Sequence, residues 1–165
     1  HASYRRQRQM CIRDSTKSNC IVVPNFSISA ILLMHLSEIA TPYFSTIEII
    51  EFHHNNKIDA PSGTALATAE KISQNMTEDL RDPTTDLALE GARGAKAQGN
   101  IPIHSVRMEG MLAHQEVIFG TTGQTLTIRQ DSSDRSSFMP GVLLAIKGVP
   151  NLTGVNIGLE TLMDV

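Results

Sequence analysis

The amino-acid sequence predicts an α+β domain, a mixed four-stranded sheet with helices packed on one face. Apolar residues recur at helical spacing in three segments and form strand patterns in four others. The segments follow each other as helix, strand, helix, three antiparallel strands and helix. Such an order is typical of a single sheet covered by helices.

The first helix follows a capping signal. Asn25 or Ser27 offers a side-chain oxygen to the unpaired amides of a helix start. Pro42 marks the region where this helix ends. The predicted apolar face consists of Ile28, Leu32, Leu36 and Ile39.

A buried strand is predicted over residues 47–53, and a loop over residues 54–61. The second helix starts near Pro61 and Ser62. Its first turn is rich in small residues, so its backbone amides are accessible to a ligand. Its predicted apolar face consists of Ala65, Leu66, Ala69 and Ile72.

Residues 76–100 are polar and contain several glycines, which predicts a long loop of a functional or mobile kind. Glycine-containing turns separate the strands that follow. These strands are predicted over residues 101–108, 112–119 and 124–130.

The last predicted strand has a half-polar face. Leu126 and Ile128 alternate there with threonine and arginine, which suits contact with a neighbouring subunit. The third helix follows, and Gly148 is suited to end it. Its predicted apolar face consists of Phe138, Val142, Leu143 and Ile146.

Composition is that of an ordinary globular protein, with 165 residues, 41% hydrophobic and 19% charged. The net charge of −3 gives no broad attraction to nucleic acid or membranes. No apolar run is long enough to span a bilayer. Cys11 and Cys20 have no metal or redox spacing, so a reduced, cytoplasmic location is the simplest expectation.

The start of the chain differs from the rest. Residues 1–20 contain four arginines but no apolar segment of the kind that follows a signal sequence start. We interpret them as a foreign leader, with a disordered basic arm as the alternative. The domain itself is predicted over residues 21–165.

Residues 48–65 carry the main functional signal. A strand pattern runs into His53, His54 and Lys57, and the chain then turns into residues 62–64, which open a helix. Proton donors, a fixed positive charge and a helix N-terminus therefore converge. This combination suits a substrate whose carboxylates must be bound and which must be protonated during reaction.

This stretch, His53-His54-x-x-Lys57-x-Asp59-Ala60-Pro61-Ser62-Gly63-Thr64-Ala65, resembles the signature of the 4-hydroxy-tetrahydrodipicolinate reductase family, formerly called dihydrodipicolinate reductase. Residues 23–28, 105–110 and 131–135 resemble further segments of that family, and the likeness covers roughly residues 21–165. Members reduce a cyclic dicarboxylate with NADH or NADPH on the route to diaminopimelate and lysine. The resemblance implies their C-terminal substrate-binding and oligomerisation half, which forms homotetramers.

By this resemblance His53 is the general acid, Lys57 stands beside it, and His54, Gly63 and Thr64 contact a substrate carboxylate. Chemistry supports these roles, because an imidazole titrates near neutral pH and an ammonium stabilises negative charge. Extended geometry points His54 away from His53. The alternatives are a histidine bonded to backbone, a solvated lysine and an ordinary helix cap.

The resemblance also assigns Val23, Pro24, Asn25 and Phe26 to contacts with the nicotinamide end of the cofactor. A hinge with a helix cap is the alternative. No Gly-x-Gly-x-x-Gly loop occurs in the sequence. NADPH or NADH is therefore expected to bind mainly to an N-terminal half that this sequence lacks.

Two other functions are considered. The chain could be an oligomeric dicarboxylate-binding fragment without catalysis, and the lack of the glycine-rich loop favours this for the polypeptide alone. A metal- or serine-dependent hydrolase using His53, His54 and Ser62 lacks suitable ligand spacing, so no metal site is expected. Two further roles stay open: Glu51 orients a histidine or Lys57 or is structural, and Arg107 binds an anion or forms a salt bridge.

Overall fold

The structure, a computed structural model, describes residues 19–163 and residue 165. The described residues form three α-helices, which are α1 (Ile28–Ala40), α2 (Gly63–Ser73) and α3 (Met139–Gly148). They also form seven strands, which are β1 (Cys20–Val22), β2 (Thr46–His53), β3 (Ala95–Lys96), β4 (Pro102–Arg107), β5 (Ala113–Thr121), β6 (Gln124–Ser132) and β7 (Val155–Ile157).

The chain divides into two compact units. One comprises residues 32–134, and the other comprises the described residues up to 31 and those from 135 onward. In the second of these, β1 and β7 pair in parallel as a two-stranded sheet, with Cys20 opposite Val155. This sheet was not predicted, because strands of three residues are too short to show an alternating pattern in the sequence.

Unit 32–134 is built on a mixed sheet with the strand order β3-β4-β2-β5-β6. The predicted α+β class is therefore confirmed, but the sheet has five strands rather than four. The additional strand, β3, consists of Ala95 and Lys96, inside the predicted loop over 76–100. A second difference concerns β4, which pairs in parallel with β2 instead of joining an antiparallel series. The hairpin of β5 and β6 is antiparallel, as predicted.

The core of this unit lies between the sheet and two helices. Alternation along β2 turns Ile47, Ile49 and Glu51 to the buried side. Helix α2 is capped by Ser62, whose hydroxyl accepts from Ala65 N at 3.2 Å. The buried apolar cluster comprises Leu33, Ala40, Ile47, Ile49, Ala65, Ala69, Ile72, Ile101, Ile103, Val117 and Phe119.

The helices bury faces that differ in part from the predicted ones. In α1 the buried line passes through Leu33, Ser37 and Ala40, whereas Leu36 and Ile39 are exposed. Apolar residues lie on several sides of this helix, so spacing alone does not select the face. The buried side of α1 mixes large and small residues, and the Ser37 hydroxyl is satisfied there by donating to Leu33 O at 2.7 Å.

Helices α2 and α3 likewise bury only part of their predicted faces. The predicted Leu66 is exposed while Ala65, Ala69 and Ile72 are buried as expected. In α3 the buried residues are Gly141 and Ala145, and the predicted Leu143 and Ile146 are exposed.

Capping of α1 is as predicted. The Ser27 hydroxyl accepts from Ala30 N at 3.3 Å, and Asn25 Oδ1 accepts from Ser27 N at 2.9 Å. Both residues proposed as caps therefore satisfy amides at the helix start.

The half-polar face of β6 also follows the predicted alternation. Its register sets Leu126 opposite Phe119 and Ile128 opposite Val117, on the core side, and leaves Thr127 and Arg129 on the other side of the sheet. Contact with another subunit stays a prediction.

No helix within the described part of the chain is long and apolar enough to cross a membrane. The interpretation of residues 1–18 falls outside the described residues.

Candidate active site

A fully buried carboxylate lies near the end of β2. Glu51 has 0% of its surface exposed, and a buried charge requires partners. Arg107 of β4 supplies them, donating from Nη1 to Oε2 at 2.8 Å and from Nη2 to Oε1 at 2.7 Å. Two parallel hydrogen bonds of this kind are the strongest pairing that a carboxylate makes with a side chain.

This ion pair connects four segments. Arg107 also donates to Val106 O and to Asp59 O, each at 2.8 Å. Glu51 Oε1 accepts from the backbone N–H of Ser62 at 3.3 Å. Strands β2 and β4, the turn before α2 and the start of α2 are therefore tied together through two side chains.

His53 hydrogen-bonds Glu51 Oε2 through Nδ1. Burial raises the pKa of Glu51, but hydrogen bonds from Arg107, Ser105 and His53 outweigh it and hold that pKa below the ordinary value. The carboxylate is therefore ionised and can only accept. Nδ1 of His53 consequently carries the proton of this bond, which leaves Nε2 as the other reactive atom.

The imidazole itself is neutral at neutral pH. Burial lowers the pKa of His53, Glu51 opposes this, and the positive charges of Lys57 and Arg107 lower it further. The net pKa lies below the ordinary value. At neutral pH, a proton is added to Nε2 when negative charge arrives beside the ring and raises its proton affinity.

Lys57 lies close enough to act electrostatically on His53, as the predicted pairing requires. Its ammonium is also engaged, because Nζ lies 2.6 and 2.7 Å from the two carboxylate oxygens of Asp59. Asp59 is exposed, and its hydrogen bond with Lys57 lowers its pKa. The lysine is thus held at the site by a partner that water screens.

The first turn of α2 presents open space. Gly63 is exposed, and a Cβ built on it would meet nothing within 4 Å. Thr64 follows directly, and its carbonyl accepts from the Thr68 hydroxyl at 2.8 Å. A helix start that is open above its first residues is suited to binding an anion.

The remaining predicted residues are placed as follows. His54 is half-buried in the turn after β2, and its carbonyl accepts from Lys57 N at 3.1 Å. The predicted cofactor segment, Val23 to Phe26, belongs to the other unit, between β1 and α1, and Pro24 is exposed there. Asn25 accepts a hydrogen bond from the capping residue Ser27, and the contact of this segment with nicotinamide and its alternative role as a hinge both stay predictions.

The sequence analysis left the two residues at the centre of the site undecided. Glu51 contacts His53, so of the two partners considered for this glutamate, a histidine and Lys57, it is the histidine that it hydrogen-bonds. Arg107 forms a salt bridge rather than an open anion site. The sequence did contain a signal for this ion pair. A glutamate occupies an inward-facing position of β2, two residues before His53, and a buried charge requires a partner.

The described residues do not form the metal site or the serine-dependent hydrolase site that were considered as alternatives. Across residues 19–163 and 165, no three His, Cys, Asp or Glu side chains are grouped so that they could hold a metal ion. The Ser62 hydroxyl is used as a helix cap.

Fold and site together define an α+β domain in which a buried carboxylate orients a histidine next to a lysine and an open helix start. The chain belongs to the dihydrodipicolinate reductase family. Residues 29–165 match the family model described as "Dihydrodipicolinate reductase, C-terminus", and the chain corresponds to that C-terminal domain.

Individual relatives agree. The chain is 52% identical to the 4-hydroxy-tetrahydrodipicolinate reductase of Corynebacterium urealyticum, over 93% of this chain and 63% of the relative. It is 51% identical to that of Moorella thermoacetica, over 94% of this chain and 57% of the relative. The solved structure of dipicolinate-bound dihydrodipicolinate reductase from Paenisporosarcina sp. TG-14 matches with a TM-score of 0.83 and 43% identity, over 98% of this chain and 60% of that one. The chain thus spans less than two thirds of the length of these relatives.

Proposed function

We propose that this chain is the dicarboxylate-binding and proton-donating part of an NAD(P)H-dependent 4-hydroxy-tetrahydrodipicolinate reductase of diaminopimelate and lysine biosynthesis. One observation carries the proposal. Glu51 bonds both the His53 ring and the Ser62 amide, so a proton-carrying group and a helix start are held by the same carboxylate. A relative that is solved with dipicolinate supports a small dicarboxylate as the ligand.

The charges of the site explain how a histidine with a lowered pKa serves as an acid. The carboxylates of a bound substrate would bring negative charge to the imidazole and raise its proton affinity. Substrate binding therefore favours the uptake of a proton from solvent on Nε2 of His53. From there the proton passes to the substrate, while Lys57 stabilises negative charge as it develops.

Binding of the dicarboxylate is assigned to the start of α2. Gly63 permits close approach of a carboxylate oxygen to the backbone, Thr64 adds the next amide of the helix start, and His54 completes the contact. The helix dipole contributes positive potential at this end.

NADH or NADPH would supply the hydride when bound. Of the described residues, Val23, Pro24, Asn25 and Phe26 are proposed to touch its nicotinamide end, and the exposed position of Pro24 leaves this segment accessible. The binding of the dinucleotide by a further domain, a homotetramer formed through the sheets and a cytoplasmic location belong to the same proposal.

Calorimetry with dipicolinate on this chain tests the binding part. Weak binding is expected, which Gly63→Val abolishes and His35→Gln leaves unchanged, because His35 lies on α1 away from the residues of the site. A folded chain that binds no dipicolinate at millimolar concentration would contradict the assignment.

Turnover tests the chemical part. In a chimera that joins this chain to the N-terminal part of the Corynebacterium urealyticum relative, His53→Gln should lower turnover by roughly 10²–10⁴, the usual contribution of a general acid. Unchanged turnover would remove His53 from the mechanism. The second candidate, an oligomeric dicarboxylate-binding fragment without catalysis, is favoured if the chain binds dipicolinate and the chimera shows no reductase activity.

A further inference from the structure

Two glutamates of β2 form similar clusters on opposite faces of the sheet. Glu51 binds His53 and Arg107, and Glu48 binds His104 at 2.6 Å and Arg93 at 2.5 Å. The environments differ, since Glu51 is fully buried and the Glu48 side chain is 31% exposed. Only the buried cluster also bonds the start of a helix.

We propose that Glu51 is a positioning residue that acts through His53. It holds the imidazole with Nδ1–H directed at itself, so that Nε2 is the atom presented to substrate. It also sets the start of α2 relative to that ring through the Ser62 amide. This inference rests on the proposed function and extends it to a residue that does not touch the substrate.

The bonding pattern of the carboxylate supports this role. Oε2 accepts from His53 Nδ1 and from Arg107 Nη1. Oε1 accepts from Ser62 N and from Arg107 Nη2. Each oxygen thus accepts one bond from the arginine and one from a group of the site, and the Ser105 side chain adds a further hydrogen bond to the carboxylate. The Arg107 fork fixes the plane in which both site groups are held.

An amide cannot reproduce this pattern. In Glu51→Gln one acceptor oxygen is replaced by an NH2 donor, which would face one N–H of Arg107 and, in addition, either His53 Nδ1 or the Ser62 N–H. The Ser62 N–H can only donate, whereas Nδ1 of an imidazole can become an acceptor. The new NH2 group is therefore expected to face His53, whose proton then moves from Nδ1 to Nε2. Loss of the negative charge also leaves His53 facing Lys57 and Arg107, with exposed Asp59 as the remaining nearby carboxylate.

Nitrogen NMR on the histidine-labelled chain tests the inference directly. In the unsubstituted chain above the His53 titration, the proton is expected on Nδ1 of His53. Glu51→Gln should shift the population toward the Nε2–H tautomer and move the titration of His53 to lower pH. Glu48→Gln is the matched control, which should change His104 and leave both His53 properties unaltered.

Folding of the variant is controlled separately. If Glu51→Gln does not fold because Arg107 is left as a buried unpaired cation, the double variant Glu51→Gln/Arg107→Met removes that cation and is measured instead. In the chimera, Glu51→Gln should lower kcat by roughly 10² or more with little change in KM for the nucleotide. A Nδ1–H tautomer that persists in the variant, or an equal response to Glu48→Gln, would overturn the inference.

The outcomes separate this inference from the proposed function. If His53→Gln leaves turnover unchanged while Glu51→Gln alters the tautomer, positioning by Glu51 stands and the proposed acid is wrong. If His53→Gln abolishes turnover while the tautomer is unaffected by Glu51→Gln, the acid stands and the positioning role is wrong.

Discussion

Replacement of Arg107 by methionine would test how much the buried ion pair of Arg107 and Glu51 stabilises the fold. Methionine retains much of the side-chain volume, but it removes both hydrogen bonds to Glu51, at 2.8 and 2.7 Å, and those to the carbonyls of Val106 and Asp59. The Glu51 carboxylate would stay fully buried with fewer partners. Breaking a buried ion pair in this way costs about 3–5 kcal/mol of unfolding free energy.

The ion pair of Arg93 and Glu48, on the other face of the sheet, provides the comparison for the stability cost of Arg107→Met. Arg93 is 37% exposed and Glu48 is 31% exposed. Water screens such a pair, so Arg93→Met should cost less than about 1 kcal/mol. The difference between the two methionine variants measures the effect of burial on otherwise similar arginine–glutamate contacts.

The cost of Arg107→Met should also depend on pH. The folded-state pKa of Glu51 lies below its ordinary value of 4.5, so this group contributes stability that is present above the unfolded pKa and lost as pH falls through the folded pKa. Without Arg107, the effect of burial is no longer opposed by the largest of the hydrogen bonds that lower the pKa of Glu51, so the folded-state pKa rises. The variant can then protonate Glu51 in mild acid, and its deficit relative to the unsubstituted chain should shrink as pH falls.

Urea unfolding followed by circular dichroism at about pH 7 and about pH 5 measures both effects. A double-mutant cycle with Glu51→Gln should give a coupling of about 1–3 kcal/mol. An Arg107→Met deficit no larger than that of Arg93→Met, or one that does not change with pH, would refute the assignment of a buried ion pair to this site.

Three further substitutions give distinct results. Gly63→Val should change the urea midpoint little but abolish dipicolinate binding in calorimetry, because open space surrounds that position, and a large stability loss would contradict this. Gly141→Ala should destabilise the chain by about 1–3 kcal/mol in urea unfolding, since its Cβ would lie 2.0 Å from Phe26 O, and a neutral result would contradict that packing. Asp59→Asn removes the charged partner of Lys57 and should strengthen dipicolinate binding at low salt while leaving the urea midpoint almost unchanged. Weaker binding would mean that Asp59 positions the lysine for the substrate.

Local features of this protein were predictable from the sequence. Side-chain oxygens at Asn25 and Ser27 cap α1, and the apolar run over 47–53 forms β2. The turn from His53 into Ser62 leads to the helix start of α2. Each of these features depends on residues close together in the chain, whose preferences the sequence records directly.

Contacts between distant segments were not predictable in this way. The strand partner of β2 on one side is β4, in parallel, and this pairing brings Arg107 to Glu51 across 56 positions. Backbone hydrogen bonds between strands are the same for every residue, so a strand pattern does not specify its neighbour. The faces of α1 and α3 were predicted wrongly in part for a related reason. Apolar residues lie on several sides of both helices, so their spacing does not show which side packs against the rest of the fold.

The sequence by itself therefore determined the α+β class, the order of most elements and the segment that carries His53, Lys57 and the start of α2. Only the tertiary structure decided that Glu51 and Arg107 form the centre of that segment's contacts, and that the His53 ring is held through Nδ1. The physical reason is burial. A carboxylate removed from water must be satisfied by whichever donors the fold brings to it, and those donors come from strands and turns that are remote in the chain.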